Sequence, residues 1–120
     1  MAGQFCVFLT RALDDPDRAT VAFVIANASL GSEKDTVVFL STEGVRLSQK
    51  GYADGVHEDG FLPLKDLMDN FTGAGGTIYV CSPCFNKRGL DAENLVDGAQ
   101  IVGGAVLVEY LSNGAASVSF

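Results

Sequence analysis

Two cysteines, Cys81 and Cys84, are separated by Ser82 and Pro83 and stand where the apolar run Thr77-Ile78-Tyr79-Val80-Cys81 ends. A thiolate is a nucleophile and a sulfur acceptor, and its abundance at neutral pH depends on its surroundings. A thiol at the carboxyl end of a parallel strand faces the crevice where α/β sheets bind ligands. Ser82 is suited to cap a helix, with Pro83 at its first position. Cys84 then falls in the first turn, near the positive end of the helix dipole. Lys87 and Arg88 follow within a few residues and add positive charge. The expectation is thiol or sulfur chemistry on Cys81 and Cys84, both with lowered pKa values, and with Lys87 and Arg88 stabilising negative charge. The competing reading makes Cys81 a small core residue, because free cysteine is among the most buried residue types. For Cys81 alone the two readings weigh about evenly, and the spacing with the two cations tips the balance toward function. Cys6, flanked by Phe5, Val7 and Phe8, reads as a packed core thiol.

Other polar residues carry weaker signals. His57 is the sole histidine, and a loop imidazole can serve as base to a thiol, but no sequence neighbour ties it to Cys81. Gly103-Gly104 lies between a strand and a helix, where bare amides can hold an anion, although a tight turn explains the pair better. Glu43-Gly44 occupies an equivalent turn and either lines the same crevice or caps its helix. Asp14, Asp15 and Asp17 fit a helix start rather than a metal cluster. One histidine and three cysteines make a dedicated zinc site improbable, since structural zinc takes four nitrogen or sulfur ligands. No glycine-rich nucleotide motif is present, and no cofactor is expected.

The elements that must position these residues alternate between strand and helix. Phe5 to Thr10 is a continuous apolar run, as in a strand covered on both faces. Asp15-Pro16 opens a helix to about Leu30, with Gly31 as its stop. Thr36 to Leu40 is a second strand, and Glu43 to Leu47 a short helical turn. Gln49 to Gly60, with three glycines, reads as a loop. Pro63 begins a helix with Leu64, Leu67, Met68 and Phe71 in one apolar stripe. Thr77 to Cys81 is the third strand, Asp91 to Val96 a short helix, and Ala99 to Val102 a weaker strand. A helix around Val106 to Leu111 ends at Gly114, and Ala116 to Phe120 is the last strand. This order predicts a single domain over 1–120, with a mostly parallel five-stranded sheet between helical layers. The first helix is apolar nearly all round, through Val21, Val24, Ile25 and Ala28, which points to a second copy as cover and hence a homo-oligomer.

Composition narrows the partners. The 120 residues are 48% hydrophobic and carry a formal charge of -7. With its cations scattered, such a chain is a poor nucleic-acid binder. Its apolar stretches fall well short of the ~18 residues that indicate a membrane span. The start lacks the features of a secretory signal, so a cytoplasmic location and reduced thiols are expected.

Several segments together resemble the DsrE/DsrF-like family of small sulfur-relay proteins. They are Phe8-Leu9-Thr10 with Asp15 to Ala19, Val38 to Leu40 with Glu43-Gly44-Val45, and Gly75 to Cys84 with Arg88-Gly89. Gly98 to Gly103, Leu107-Val108-Glu109 and Ser117 to Phe120 complete the pattern. The resemblance implies a three-layer flavodoxin-like or Rossmann-like domain, assembled as trimers or hexamers. It further implies a carrier or sulfurtransferase holding persulfide sulfur on Cys81, with donor and acceptor proteins or small thiols as partners. On their own position and charge, not on the resemblance, Glu43, Lys87, Arg88 and Gly103 are expected to line the substrate site beside Cys81. Cys84 is not general among sulfur-carrying members, and could resolve a Cys81 persulfide by forming a disulfide. A thiol–disulfide redox protein and a non-enzymatic small-ligand module stay open as alternatives.

Overall fold

Every strand pairing in the sheet is parallel, in the spatial order β4-β3-β2-β1-β5. The strands are β1 Gln4–Leu9, β2 Asp35–Leu40, β3 Thr77–Cys81, β4 Ala99–Val102 and β5 Ala116–Ser119. The helices are α1 Pro16–Gly31, α2 Leu64–Gly73, α3 Ser82–Lys87 and α4 Gly104–Ser112. The structure is a computed structural model and describes residues 3–120. β1 to β4 advance in one direction across the sheet, so right-handed crossovers place α1 and α2 on one face. The step from β4 back to β5 reverses direction and sends α4 to the opposite face. The chain is thus a three-layer α/β fold.

Local sequence explains most boundaries. The Asp15 carboxylate accepts the Arg18 backbone N–H at 3.1 Å, and Pro16 opens α1. α2 lacks a side-chain cap, and its first residue is held by the Leu64 N–H donating to the Val56 carbonyl at 3.2 Å. The core lies between α1, α2 and the alternate strand residues Val7, Leu9, Val38, Leu40, Ile78 and Val80. Phe23 and Phe71 meet edge to face there, with ring centroids 5.8 Å apart. Gly76 is required beneath that pair, because a Cβ at this position would lie 2.4 Å from the Phe71 ring.

Two regions differ from expectation. Asp91 to Val96 is not a helix. The Asp91 carboxylate accepts the Glu93 N–H at 2.9 Å, closing a tight turn, and the following residues pair with a distant segment instead. The Val96 N–H donates to Ser48 O at 2.8 Å, the Lys50 N–H donates to Asn94 O at 3.0 Å, and Gln49 bridges Leu95. The expected loop from Gln49 to Gly60 contains a 3₁₀ helix, Tyr52–Gly55, whose Ala53 packs into the core.

The second face of the sheet is closed less fully. α4 is rich in apolar residues, yet none of its residues is buried, and Val108 is 63% exposed. Its Tyr110 hydroxyl docks the helix by donating to the Asp35 carbonyl at 2.8 Å. By contrast, Val21, Val24 and Ile25 of α1 are half-buried, and of the four residues expected to need cover only Ala28 is exposed. Among the helices, the large exposed apolar side chains are therefore Val106 and Val108 of α4 rather than residues of α1.

Candidate functional site

The carboxyl ends of the strands form one edge, and most of the residues singled out in the sequence collect there. Cys81 ends β3 and pairs in register with Val102, the residue before Gly103. Gly103 caps the start of α4 at the same edge. The first turn after β2 is a 3₁₀ helix, Thr42–Ser48, which brings Glu43 alongside α3. Gly44 is fixed there by a close approach, since a Cβ would lie 2.3 Å from the Leu9 carbonyl oxygen.

α3 begins one residue earlier than the sequence implies. Cys81, not Ser82, is its N-cap, Pro83 sits in the first turn, and no side-chain cap bond forms. Phe85, buried in the core, anchors this short helix. The chain leaves through Gly89, whose φ of 61° lies in the left-handed region, while the Leu90 N–H returns to Phe85 O at 3.4 Å. Cys81 and Cys84 are therefore N-cap and third helical residue. In a capping box this is the pair of positions whose side chains reach toward each other's backbone. Both thiols are free and half-buried.

The electrostatics correct the expectation of a lowered pKa. The Cys81 thiol is pushed above its usual range, chiefly by burial. The Cys84 N–H draws it down, too loosely placed for a formed cap bond, while the adjoining Cys84 thiol opposes ionisation. Arg88 does not supply free positive charge. Its Nε donates to Glu43 Oε2 at 2.7 Å, and its terminal nitrogen donates to the Cys84 carbonyl at 3.2 Å. Arg46 Nε donates to the other Glu43 oxygen at 2.9 Å. These two arginines, Arg88 foremost, hold the Glu43 carboxyl below its ordinary range. Glu43 and Arg88 thus form a tether that fixes α3 to the turn after β2. Lys87 makes no ion pair or hydrogen bond among the described residues and lies exposed on the last turn.

Sequence reasoning missed two contributors at this edge. Arg46, three residues after Glu43, has the spacing of a helical ion pair, which is a readable signal. Thr42 has a φ of 49°, uncommon for a residue with a side chain, and its hydroxyl donates to the Thr10 carbonyl at 2.9 Å. Nothing in the residue type announces that conformation. His57 is occupied within its own loop, its Nε2 lying 2.9 Å from the Phe61 carbonyl oxygen. Cys6 is fully buried, and burial raises its pKa to about 11.

The Asp14 and Asp15 carboxylates serve the entry to α1, through the Ala12 and Arg18 N–H groups. Among the described residues no cluster of histidine, cysteine and carboxylate side chains could hold a metal ion. None of their helices is long and apolar enough to cross a membrane. A pocket of ≈ 300 Å³ opens beside α2, with Met68 and Ile78 in its floor and Lys50 and Lys65 at its rim, and neither Cys81 nor Cys84 lines it.

Comparison with known proteins gives this edge a context. A sequence model described as the DsrE/DsrF-like family matches residues 4–120. The uncharacterized protein MJ0760 of Methanocaldococcus jannaschii is 31% identical over 109 residues, or 91% of this chain. The chain spans only 40% of that relative's length. The uncharacterized protein MJ0989 of the same organism is 30% identical, with 82% of each chain covered. Among solved structures, the ychN protein of E. coli superposes with a TM-score of 0.80 at 18% identity, covering 98% of this chain and 99% of its own. A protein of unknown function from Methanobacterium thermoautotrophicum, MTH1491, superposes with a TM-score of 0.67 at 20% identity, covering 98% and 100%. At these identities the structural likeness is one of fold.

Proposed function

The chain belongs to the DsrE/DsrF-like family, and from that premise we propose that it is a sulfur carrier with Cys81 as the acceptor. The observation that carries this reading is the position of Cys81. It is a free, half-buried thiol at the carboxyl end of an interior parallel strand, on the edge where α/β sheets present their chemistry. In the loading step the Cys81 thiolate attacks the outer sulfur of a donor persulfide. A new sulfur–sulfur bond forms on Cys81, and the donor leaves as a thiolate. In the unloading step an acceptor thiolate attacks that outer sulfur and regenerates the Cys81 thiolate.

The raised pKa of Cys81 is compatible with this role. A thiol largely protonated at neutral pH is a slow attacking group but a strong nucleophile in its ionised fraction. Once loaded, a persulfide is more acidic than its parent thiol, so the charge is carried when sulfur is held. The Glu43–Arg88 tether would hold α3, and with it both thiols, at a fixed place on the edge. Donor and acceptor would be persulfide and thiol groups of proteins or small molecules in a reducing compartment such as the cytoplasm. The open apolar surface of α4 supports assembly with further copies of the chain, and the family resemblance is what implies a trimer or hexamer.

Intact-mass spectrometry after incubation with cysteine persulfide tests the acceptor assignment. Wild type should gain ~32 Da per sulfur, reversibly with reductant, and Cys81→Ser should not. Loading that survives Cys81→Ser would remove Cys81 from the acceptor role.

A further inference from the structure

Cys84 has no part in the loading or unloading of Cys81, yet its position is specific. It is the third residue of α3 while Cys81 is the N-cap, so the two residues stand one helical turn apart, at the positions that in a capping box reach toward each other's backbone. Both thiols are free and half-buried at the same edge. The remaining cysteine, Cys6, is fully buried within β1.

We infer that Cys84 discharges the loaded site when no acceptor arrives, so that the protein also reduces its bound persulfide to sulfide. This rests on the reading of Cys81 as sulfur acceptor. The Cys84 thiolate, its proton given to solvent, attacks the inner sulfur of the Cys81 persulfide. The bond between the inner and outer sulfurs breaks, a Cys81–Cys84 disulfide forms, and the outer sulfur leaves with the bonding electron pair as hydrosulfide. Cys84 is oxidised and the outer sulfur is reduced, so no external oxidant is needed. A dithiol reductant then opens the disulfide by exchange and restores two thiols, the dithiol itself becoming the disulfide.

Which sulfur is attacked separates the two fates. In transfer an external acceptor attacks the outer sulfur, whereas in discharge Cys84, one helical turn away, attacks the inner one. Transfer and discharge therefore compete, and the supply of acceptor decides between them. The tether from Arg88 to the Cys84 carbonyl, 3.2 Å, keeps the second thiol in place for this reaction. The Cys84 thiol also adjoins Cys81 closely enough to oppose its ionisation, which agrees with the spacing argument.

The test loads wild type, Cys81→Ser, Cys84→Ser and Cys84→Ala with cysteine persulfide under anaerobic conditions. The donor is removed, and intact mass and free sulfide are followed without acceptor. Wild type should lose its added sulfur, release one sulfide per chain and finish ~2 Da below the reduced mass, with peptide mapping placing the disulfide between Cys81 and Cys84. Both Cys84 variants should keep the ~32 Da adduct at least about tenfold longer and release sulfide only on addition of dithiothreitol. If wild type holds its sulfur as long as the Cys84 variants, the discharge inference is overturned and the carrier reading stands. If neither wild type nor the Cys84 variants acquires a sulfur that Cys81→Ser lacks, the carrier reading falls and the discharge falls with it.

Discussion

The two faces of the sheet are built from the same kinds of residue and reach different ends. On the face covered by α1 and α2, strand residues such as Val7, Val38 and Ile78 are fully buried, and both helices contribute fully buried aromatic rings. On the other face α4 carries Val106, Leu107, Val108, Tyr110 and Leu111, none of them buried. Apolar burial contributes roughly 25 cal/mol per Å², so the first face contributes most to the fold, while on the second Cys6, Val37 and Phe39 are buried but α4 leaves much of its own apolar surface exposed in a single chain. The difference teaches that the packing of the chain is concentrated on one face, while the helix covering the other keeps its apolar side chains largely in solvent. The thiol edge lies at the end of both faces, and its position depends on the first through Phe85 and β3.

The largest effect should come from breaking the packed face. Phe71→Ala removes a fully buried ring that contacts Phe23 and sits over Gly76. It should cost about 3–5 kcal/mol, measured as a fall in the urea midpoint at unchanged slope. A loss under about 1 kcal/mol, as expected for an exposed position, would erase the distinction between the faces.

The uncovered face should respond in mass rather than in fold. Val108 is 63% exposed, so Val108→Asp should change the stability of an isolated chain by no more than about 0.5 kcal/mol. The same carboxylate, placed in an apolar interface between copies, would be buried without a partner and should dissociate the assembly. Sedimentation would show wild type as a multiple of 12.6 kDa and the variant shifted toward that mass. Wild type sedimenting as one chain at micromolar concentration would show that the α4 face is not an assembly surface.

How much of this was legible in the sequence follows the range of the interactions. The strands, the Asp15-Pro16 start of α1 and the Leu64, Leu67, Met68, Phe71 stripe are set by residues close in sequence, and each appears where the pattern predicts it. Asp91 to Val96 has a short helical pattern, but its backbone bonds go to Ser48 and Lys50, which no local signal reveals. The thiol edge divides in the same way. The place of Cys81 at a strand end is written in the apolar run before it. The partner of Arg88 is not, because Glu43 lies 45 residues away, and that partner turns a supposed thiolate stabiliser into a tether. Burial of Cys81 is likewise a tertiary fact, and it outweighs the nearby amide that the helix start supplies.

The smallest effect separates a thiol on the second face from the thiols at the edge. Cys6 lies on that face, fully buried although α4 covers it only thinly, and its pKa is about 11. At pH 8 only about one Cys6 in a thousand would be ionised even if reagent reached it. Native protein treated with iodoacetamide should therefore be modified at Cys81 and Cys84 and spared at Cys6. Since the Cys81 pKa is also raised, its labelling rate should keep climbing past pH 9 instead of levelling near neutrality. Cys84→Ala removes the thiol that opposes ionisation of Cys81 but keeps the backbone N–H that favours it, so the Cys81 profile should move to lower pH. The linkage for Cys6 has a definite sign. Its folded pKa of about 11 stands above the ordinary 9.0, so folding retains that proton. The corresponding stability is complete below pH 9 and is lost as pH rises through 11. Rapid labelling of Cys6 at pH 8 would mean that α4 opens readily, and that the thinly covered face is dynamic in solution as well as incompletely packed.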